Sequence, residues 1–177
     1  MMTLFARLQI ALGTLLAASL AAHLALAEAP QRIVTIGSAV TEIAYELGQQ
    51  DRLVARDRSS TFPAQAQGLP DIGYERALAP EGVLSVAPDM IIATDGAGPP
   101  AAIGVLKEAG VDYVEIPVEY SPEGILKIIR VTGAALGQDA AAAELAARVA
   151  ADLDAATAAA AAAAGGRPKR VLFVLTA

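Results

Sequence analysis

Short apolar runs alternate with segments of helical periodicity along most of this chain. Aliphatic and β-branched runs bounded by glycine or polar residues predict four strands, at residues 32–36, 52–55, 89–93 and 111–116. The run at 89–93 is apolar at four consecutive positions, which is typical of a strand covered on both faces of its sheet. Strands that alternate with helices predict an α/β fold with a mostly parallel sheet.

Helical segments follow these strands, and their ends carry capping signals. The predicted helices cover residues 38–47, 80–86, 100–109 and 121–136. Ser121, Pro122 and Glu123 stand in the order of an N-cap, a first-turn proline and an early acid. Ser38 is expected to cap the first helix, and glycines such as Gly48 follow the helix ends.

A long alanine-rich helix is predicted at residues 139–164, ahead of a glycine pair. About 25 residues at 1.5 Å each span about 37 Å, which exceeds the width of one small lobe. We expect this segment, within residues 138–166, to bridge two lobes. Residues 28–137 would form the N-terminal lobe and residues 167–177 the first strand of a C-terminal lobe. On this interpretation the second lobe is largely absent and the chain is truncated.

The first 27 residues have the three parts of a secretory signal peptide. Arg7 supplies the positive charge, residues 8–26 are mainly apolar, and Ala25-Leu26-Ala27 is a small-x-small cleavage site. A membrane anchor is the alternative, since the apolar run is nearly long enough to span a bilayer. We expect cleavage and a soluble periplasmic protein. Because the chain has no cysteine, no lipid anchor follows the apolar run.

Composition and charge argue against several classes of function. The formal net charge is −6 and the isoelectric point is about 4.7, which disfavours binding to nucleic acid or to an anionic membrane. The sequence carries no Gly-rich phosphate loop or nucleophile elbow, and Ser59, Ser60 and Thr61 have no histidine base. The only histidine, His23, lies in the predicted signal peptide. We therefore predict a binding protein and not an enzyme.

The loops that leave the strands are the expected location of a ligand. In a parallel α/β sheet, ligands bind outside the carboxyl ends of the strands. The corresponding loops cover residues 37–38, 56–61, 95–100 and 117–121, and they are rich in small and polar residues. Any one of them can equally be an ordinary surface turn.

Tyr74 is the main candidate for a metal contact. Once the predicted signal peptide is removed, neither histidine nor cysteine remains as a ligand. A phenolate is a hard donor suited to ferric iron, and Arg76, two residues later, can stabilise it by a hydrogen bond. The alternative is an ordinary half-buried tyrosine with its hydroxyl in water.

Several phrases resemble the substrate-binding proteins of bacterial ABC importers. Residues 32–37 (RIVTIG), 41–43 and 84–91 resemble the superfamily that binds ferric siderophores, cobalamin and haem. Residues 73–78 (GYERAL), with 80–82, 95–100 and 121–124, resemble its haem-binding branch. The resemblance covers residues 32–176 and implies the N-terminal lobe of a two-lobed periplasmic-binding fold.

This resemblance implies specific roles for five residues. Tyr74 would be the axial ligand of haem iron, assisted by Arg76, and Arg56 and Arg58 would pair with the haem propionates. For Arg56 and Arg58, the alternative is internal pairing with Asp57 or simple solvation. Glu81 would dock onto the permease, although a first-turn glutamate also suits the helix dipole.

The function implied is capture of haem and its delivery to the permease and ATPase of an ABC importer. One departure from the haem branch is Glu75, which stands where an apolar residue is usual and can hold Arg76 away from the haem. A siderophore- or cobalamin-binding protein of the same superfamily is the first alternative. A non-functional truncated fragment is the second.

Overall fold

Four parallel strands form the single sheet of the computed structural model, which describes residues 29–165 and 170–174. The strands are β1 (Ile33–Ile36), β2 (Leu53–Arg56), β3 (Met90–Thr94) and β4 (Asp112–Ile116). They lie in the order β2-β1-β3-β4, and every pairing is parallel. This arrangement confirms the predicted α/β fold. The predicted signal peptide, residues 1–27, lies outside the described residues.

Five α-helices connect or follow the strands: α1 (Ser38–Glu46), α2 (Pro80–Leu84), α3 (Pro100–Glu108), α4 (Pro122–Ala135) and α5 (Asp139–Ala164). Two short 3₁₀ turns, Gln50–Arg52 and Ala64–Gly68, complete the elements of the described part of the chain.

The sheet is buried on both faces, as its apolar strands require. On one face, Ile33 and Ile92 pack in a cluster that includes α1, α4 and the start of α5. On the other face, Val34 and Ile91 pack in a cluster that includes α2 and α3, whose Leu106 is fully buried. The fold is therefore a three-layer sandwich.

The sequence predicts the cap of α4 correctly and the cap of α1 incorrectly. The Ser121 side chain accepts a hydrogen bond from the Gly124 backbone N–H at 3.0 Å, which confirms the predicted cap of α4. The expectation for Ser38 is wrong. Gly37 occupies the N-cap position with a φ of 105°, and Ser38 is the first helical residue. Left-handed backbone of this kind is accessible to glycine and costly for serine.

The long helix α5 packs on α4, and it does so by its first half alone. Its buried residues are Ala142, Leu145 and Ala146, and no described residue beyond Val149 is buried. At the packed end, α4 and α5 approach closely, because a Cβ built on Gly133 would lie 2.1 Å from the Cβ of Ala142. Among the described residues, no helix is both long and apolar enough to cross a membrane.

Residues 170–174, expected to belong to a strand, have no regular secondary structure. Val171, Leu172, Phe173 and Val174 are 70–86% exposed. A strand exists only through hydrogen bonds to a neighbouring strand, and none of the described residues supplies one. The assignment of residues 167–177 to a C-terminal lobe stays a prediction.

Two helical glycines provide a matched test of this packing. Gly133→Ala is expected to destabilise the fold by about 1–3 kcal/mol, because the added methyl group separates α4 from α5. Gly104→Ala in α3 adds a methyl group with nothing within 4 Å and should stabilise the fold by about 0.5–1 kcal/mol. Urea denaturation measures both. Equal effects of the two substitutions would contradict the packing described here.

Candidate functional site

A cleft of about 220 Å³ opens at the carboxyl ends of the central strands. It lies where the strand order reverses: β1 leads through α1 to β2 on one side, and β3 leads through α3 to β4 on the other. Such a reversal leaves a crevice between the two loops, and this is the usual ligand position in parallel sheets. The lining includes Gly37, Ser38, Glu75, Arg76, Thr94, Asp95, Gly96, Val118 and Tyr120.

Gly37 allows the floor of the cleft to form. A Cβ at this position would lie 2.6 Å from Cγ2 of Thr94, at the end of the neighbouring strand β3. The residue also has a φ of 105°. Both conditions require glycine, so the loops after β1 and β3 meet at backbone distance.

A buried carboxylate, that of Asp57, organises the loop after β2. Its Oδ1 accepts hydrogen bonds from the Gly37 backbone N–H at 3.0 Å and from the Ser60 hydroxyl at 2.6 Å. Its Oδ2 accepts from the backbone N–H and the hydroxyl of Ser59. Ser60 continues through Thr41 to Thr35, each at 2.8 Å. The loops after β1 and β2 are therefore joined by one polar network, in which Asp57, Ser60, Thr41 and Thr35 are fully buried.

Residues 70–73 extend the sheet along the outer edge of β2. Arg56 and Asp71 form a parallel bridge. The Arg56 N–H donates to the carbonyl of Pro70 at 3.0 Å, and the Ile72 N–H donates to the carbonyl of Arg56 at 3.2 Å. Beyond this bridge, the Arg58 N–H donates to the carbonyl of Gly73 at 2.7 Å. The next residue, Tyr74, consequently emerges at the carboxyl edge of the sheet.

Tyr74 lies on a loop that is fixed on both sides. Its carbonyl accepts from the Ala77 N–H at 2.8 Å, and Gly73 before it has a φ of 106°. On the far side, the Gly98 N–H donates to the carbonyl of Glu75 at 2.8 Å, and the Leu78 N–H donates to that of Gly98 at 2.9 Å. The residue itself is 45% exposed. The backbone is thus held in place while the phenol remains accessible.

Arg76 reaches the cleft with its guanidinium largely in solvent. It lines the cleft together with Glu75, and its side chain is 67% exposed. Its Nε lies 3.7 Å from Oε1 of Glu75, which is beyond hydrogen-bond distance. Glu75 does contact Arg76, as anticipated, but an ion pair of this length, with its guanidinium largely in solvent, holds the arginine weakly.

Arg58 and Arg56 differ sharply in position. The Arg58 guanidinium is 67% exposed, and its Nε donates to Oδ2 of Asp71 at 3.1 Å. The Arg56 side chain is only 11% exposed; its Nη1 lies 3.6 Å from the same oxygen and donates to the carbonyl of Asp57 at 3.1 Å. Arg56 therefore lies beneath the loop and not on its exposed side. Its pairing with a ligand carboxylate stays a prediction.

Asp71 is the partner of both arginines. The Gly73 backbone N–H donates to its Oδ1 at 2.7 Å. This hydrogen bond, with the nearby guanidiniums of Arg58 and Arg56, lowers the pKa of the Asp71 carboxyl despite the opposing effect of partial burial. Asp71 is therefore anionic across the neutral range and fixes the residue that precedes Tyr74.

The remaining tyrosines of α1 and β4 are packed. Burial raises the pKa of Tyr45, and burial together with the charge of Glu115 raises the pKa of Tyr113 to about 12. Tyr113 also lies beneath the ammonium of Lys107, 5.1 Å from the ring centre. Neither phenol favours ionisation.

Glu81 is exposed in the first turn of α2.

In the described part of the chain, no three His, Cys, Asp or Glu side chains are grouped so as to hold a metal ion. A cation bound here would therefore need most of its ligands from another source.

The structure brings together the loops at 37–38, 75–76, 94–96 and 118–120, three of which were expected at the rim. The role of Asp57 in organising the loop after β2 was not predicted, since Asp57 was expected only as a partner of Arg56 and Arg58. The signal was present: an aspartate shortly before two serines at the end of a strand is typical of side chains that hydrogen-bond a turn.

Comparisons with known proteins agree with this architecture. The periplasmic binding protein family matches residues 33–177. The periplasmic heme-binding protein BhuT, solved in complex with two hemes, superposes with a TM-score of 0.76 and 40% sequence identity, covering 81% of this chain and 56% of that one. A periplasmic heme-binding protein from Pseudomonas aeruginosa gives a TM-score of 0.73 and 32% identity, covering 78% and 50%.

A vitamin B12-binding protein of Vibrio campbellii (strain ATCC BAA-1116) is 30% identical over 125 residues, which are 71% of this chain and 44% of that protein. The chain spans about half the length of each of these relatives. The lobe described here corresponds to the N-terminal lobe of their fold, which confirms the resemblance inferred from the sequence.

Replacement of Asp57 by asparagine tests the network beneath the rim. An amide presents NH₂ where the carboxylate accepts, so at least one buried donor loses its partner, at a cost of about 1–3 kcal/mol. Asp57→Asn should lower the free energy of unfolding by that amount in urea denaturation. The control Asp51→Asn, at an exposed turn, should change it by less than about 0.5 kcal/mol. Equal stability of the two variants would show that Asp57 does not organise the loop.

Proposed function

This chain belongs to the periplasmic binding protein family, and we propose that it captures ferric haem in the periplasm for delivery to an ABC importer. The observation that carries this proposal is the position of Tyr74. Its phenol is accessible on a loop held by both neighbouring loops, at the carboxyl edge of the sheet. Members of the family bind ligands and pass them on, so the activity proposed is capture and not catalysis.

A single phenol suits haem iron better than a bare metal ion. The described residues offer no cluster of three acidic or imidazole ligands, so a free cation would be poorly held. In haem, the macrocycle already occupies four positions of the iron, and one axial donor completes the attachment. Phenolate is an established axial ligand of haem, and a hard donor favours the ferric state. Because a free tyrosine is protonated at neutral pH, the iron must displace that proton.

Two exposed arginines would bind the carboxylates of the ligand. The Arg58 backbone N–H donates to the carbonyl of Gly73, and Arg76 follows Tyr74 by two residues, so both arginines lie on segments that adjoin Tyr74. Guanidinium groups suit the two propionates of haem, because they donate paired hydrogen bonds. The guanidiniums of Arg76 and Arg58 are each 67% exposed, and solvent weakens their pairs with Glu75 and Asp71, whose side chains are 22% and 36% exposed. Arg56, whose side chain is only 11% exposed, is less accessible for this contact than Arg58 or Arg76.

The cleft would act as one wall of the site. Its volume of about 220 Å³ is smaller than the 300–1,000 Å³ typical of pockets that enclose a ligand. A macrocycle would therefore lie across the rim and not within the lobe. For the subsequent transfer, exposed Glu81 in the first turn of α2 is the proposed contact with a basic pocket of the permease.

Cobalamin is the second candidate ligand, because a vitamin B12-binding relative is 30% identical over 125 residues. A siderophore is the third, through the wider superfamily. In both alternatives Tyr74 only packs against the ligand, and its oxygen makes no bond to the metal.

Titration of the purified chain with ferric haem tests the proposal. The wild-type complex should show phenolate-to-iron charge-transfer absorption. Tyr74→Phe removes only the phenol oxygen; it should abolish that absorption and weaken binding at least about tenfold, or about 1.4 kcal/mol. The matched control Tyr45→Phe, on helix α1, should behave as the wild type.

Parallel titration with cyanocobalamin separates the alternatives. Saturable binding of cobalamin without binding of haem would contradict the proposal. An unchanged haem spectrum in Tyr74→Phe would contradict the assignment of the axial ligand.

A further inference from the structure

Tyr120 is an exposed aromatic residue with no role in the fold. It is 98% exposed, which is the greatest exposure among the large apolar side chains of the described residues. It lies at the tip of the loop after β4 and lines the cleft together with Glu75 and Arg76. Tyr120 therefore lies beside the space across which the proposed ligand would lie.

The start of this loop is fixed to the neighbouring strand end. The Val118 backbone N–H donates to Oδ2 of Asp95 at 3.1 Å, and the Asp95 N–H donates to the carbonyl of Ile116 at 3.0 Å. Asp95 follows β3, and Ile116 is the last residue of β4. The two loops on this side of the cleft thus hold each other.

The end of the loop is fixed to the first turns of α4. Ser121 caps the helix, and its N–H donates to the carbonyl of Glu119 at 2.9 Å. A Cβ built on Gly124 would lie 2.0 Å from that same carbonyl oxygen, so the loop folds directly onto the helix. The Glu119 carboxylate also forms an ion pair with Lys127, which lies one helical turn beyond Gly124. Tyr120 is therefore presented on a backbone anchored before and after it.

A preorganised exposed ring is an efficient binding surface. Tyrosine contributes a large contact area while only two side-chain torsions are immobilised, and an anchored backbone loses little further entropy when a ligand binds. Aromatic faces pack well on flat conjugated rings, with a gain beyond the area buried. An aliphatic residue at this position would provide less contact and would not distinguish a flat ring from a puckered one.

We infer that Tyr120 is a specificity-determining residue, whose ring packs against the face of a planar metalloporphyrin held at the iron by Tyr74. This inference rests on the proposed function and adds a second, metal-independent contact to it. Tyr74 binds the iron, whereas Tyr120 contacts the flat conjugated ring of the ligand. The contribution of Tyr120 should persist when the iron is removed from the ligand.

Metal-free protoporphyrin separates the two contacts. Binding is measured from porphyrin fluorescence for the metal-free ligand and from absorption for ferric haem. Tyr120→Ala should weaken both ligands about tenfold, yet retain the charge-transfer absorption of the ferric complex. Tyr120→Phe, which keeps the ring, should remain within about twofold of the wild type. Phe62→Ala, which removes a 62% exposed ring outside the cleft lining, is the control and should leave both affinities unchanged.

The outcomes distinguish this inference from the proposed function. If ferric haem binds through Tyr74 and Tyr120→Ala leaves both affinities unchanged, the inference fails and the proposed function stands. If metal-free protoporphyrin binds with a dependence on Tyr120, but Tyr74→Phe leaves haem binding unchanged, the inference stands and the iron assignment fails. A wild-type chain that binds neither ligand overturns both.

Discussion

The buried carboxylate of Asp57 is the constraint on which the proposed site depends. Four hydrogen bonds converge on it, from the backbone of Gly37, the Ser60 hydroxyl, and both the backbone and the hydroxyl of Ser59. The turn held in this way places the Arg58 N–H against the carbonyl of Gly73, the residue before Tyr74. The position of the exposed Tyr74 phenol therefore depends on the buried Asp57 carboxylate, which does not contact the proposed ligand. Transfer of a charged carboxylate from water into the protein interior is costly in free energy. The four hydrogen bonds to Asp57 offset that cost.

The chemistry of the rim follows from what surrounds this anion. Ser60 and the two threonines form a chain of hydroxyls that satisfies polar groups inside the lobe. The arginines divide according to burial: Arg56 is retained beneath the loop, and Arg58 and Arg76 extend into solvent on segments that adjoin Tyr74. One accessible phenol near exposed guanidiniums forms a poor site for a free metal ion. It suits the proposed ligand, whose iron is already held by an anionic macrocycle.

Much of the fold could be predicted from the sequence because its signals are local. The bounds of α5 agree with the prediction to the residue, and the cap of α4 is the predicted Ser121. The strands agree to within about a residue, since their apolar runs are short and bounded by polar residues. Ser38 was predicted as the N-cap of α1 because serine is common at that position. In the structure Gly37 is the N-cap, with a backbone conformation that is accessible to glycine and costly for serine.

The site was less predictable, because its contacts join residues distant in sequence. The pairing of Arg56 and Arg58 with Asp71 arises from a parallel bridge along the edge of β2, and a local pattern does not reveal such a bridge. The position of Tyr120 beside Arg76 likewise depends on the order of the strands in the sheet. Tyr74 could be singled out because residues 73–78 resemble the haem-binding branch of the superfamily.

The bond between the Tyr74 oxygen and ferric iron is the central claim, and resonance Raman spectroscopy of the haem-loaded chain tests it most directly. With excitation in the charge-transfer absorption, only a tyrosine bonded to the metal has its ring vibrations enhanced. The account predicts enhanced tyrosine vibrations in the wild type and in Tyr120→Phe, and none in Tyr74→Phe. Enhanced tyrosine vibrations that persist in Tyr74→Phe, or their absence from the wild-type complex, would contradict it.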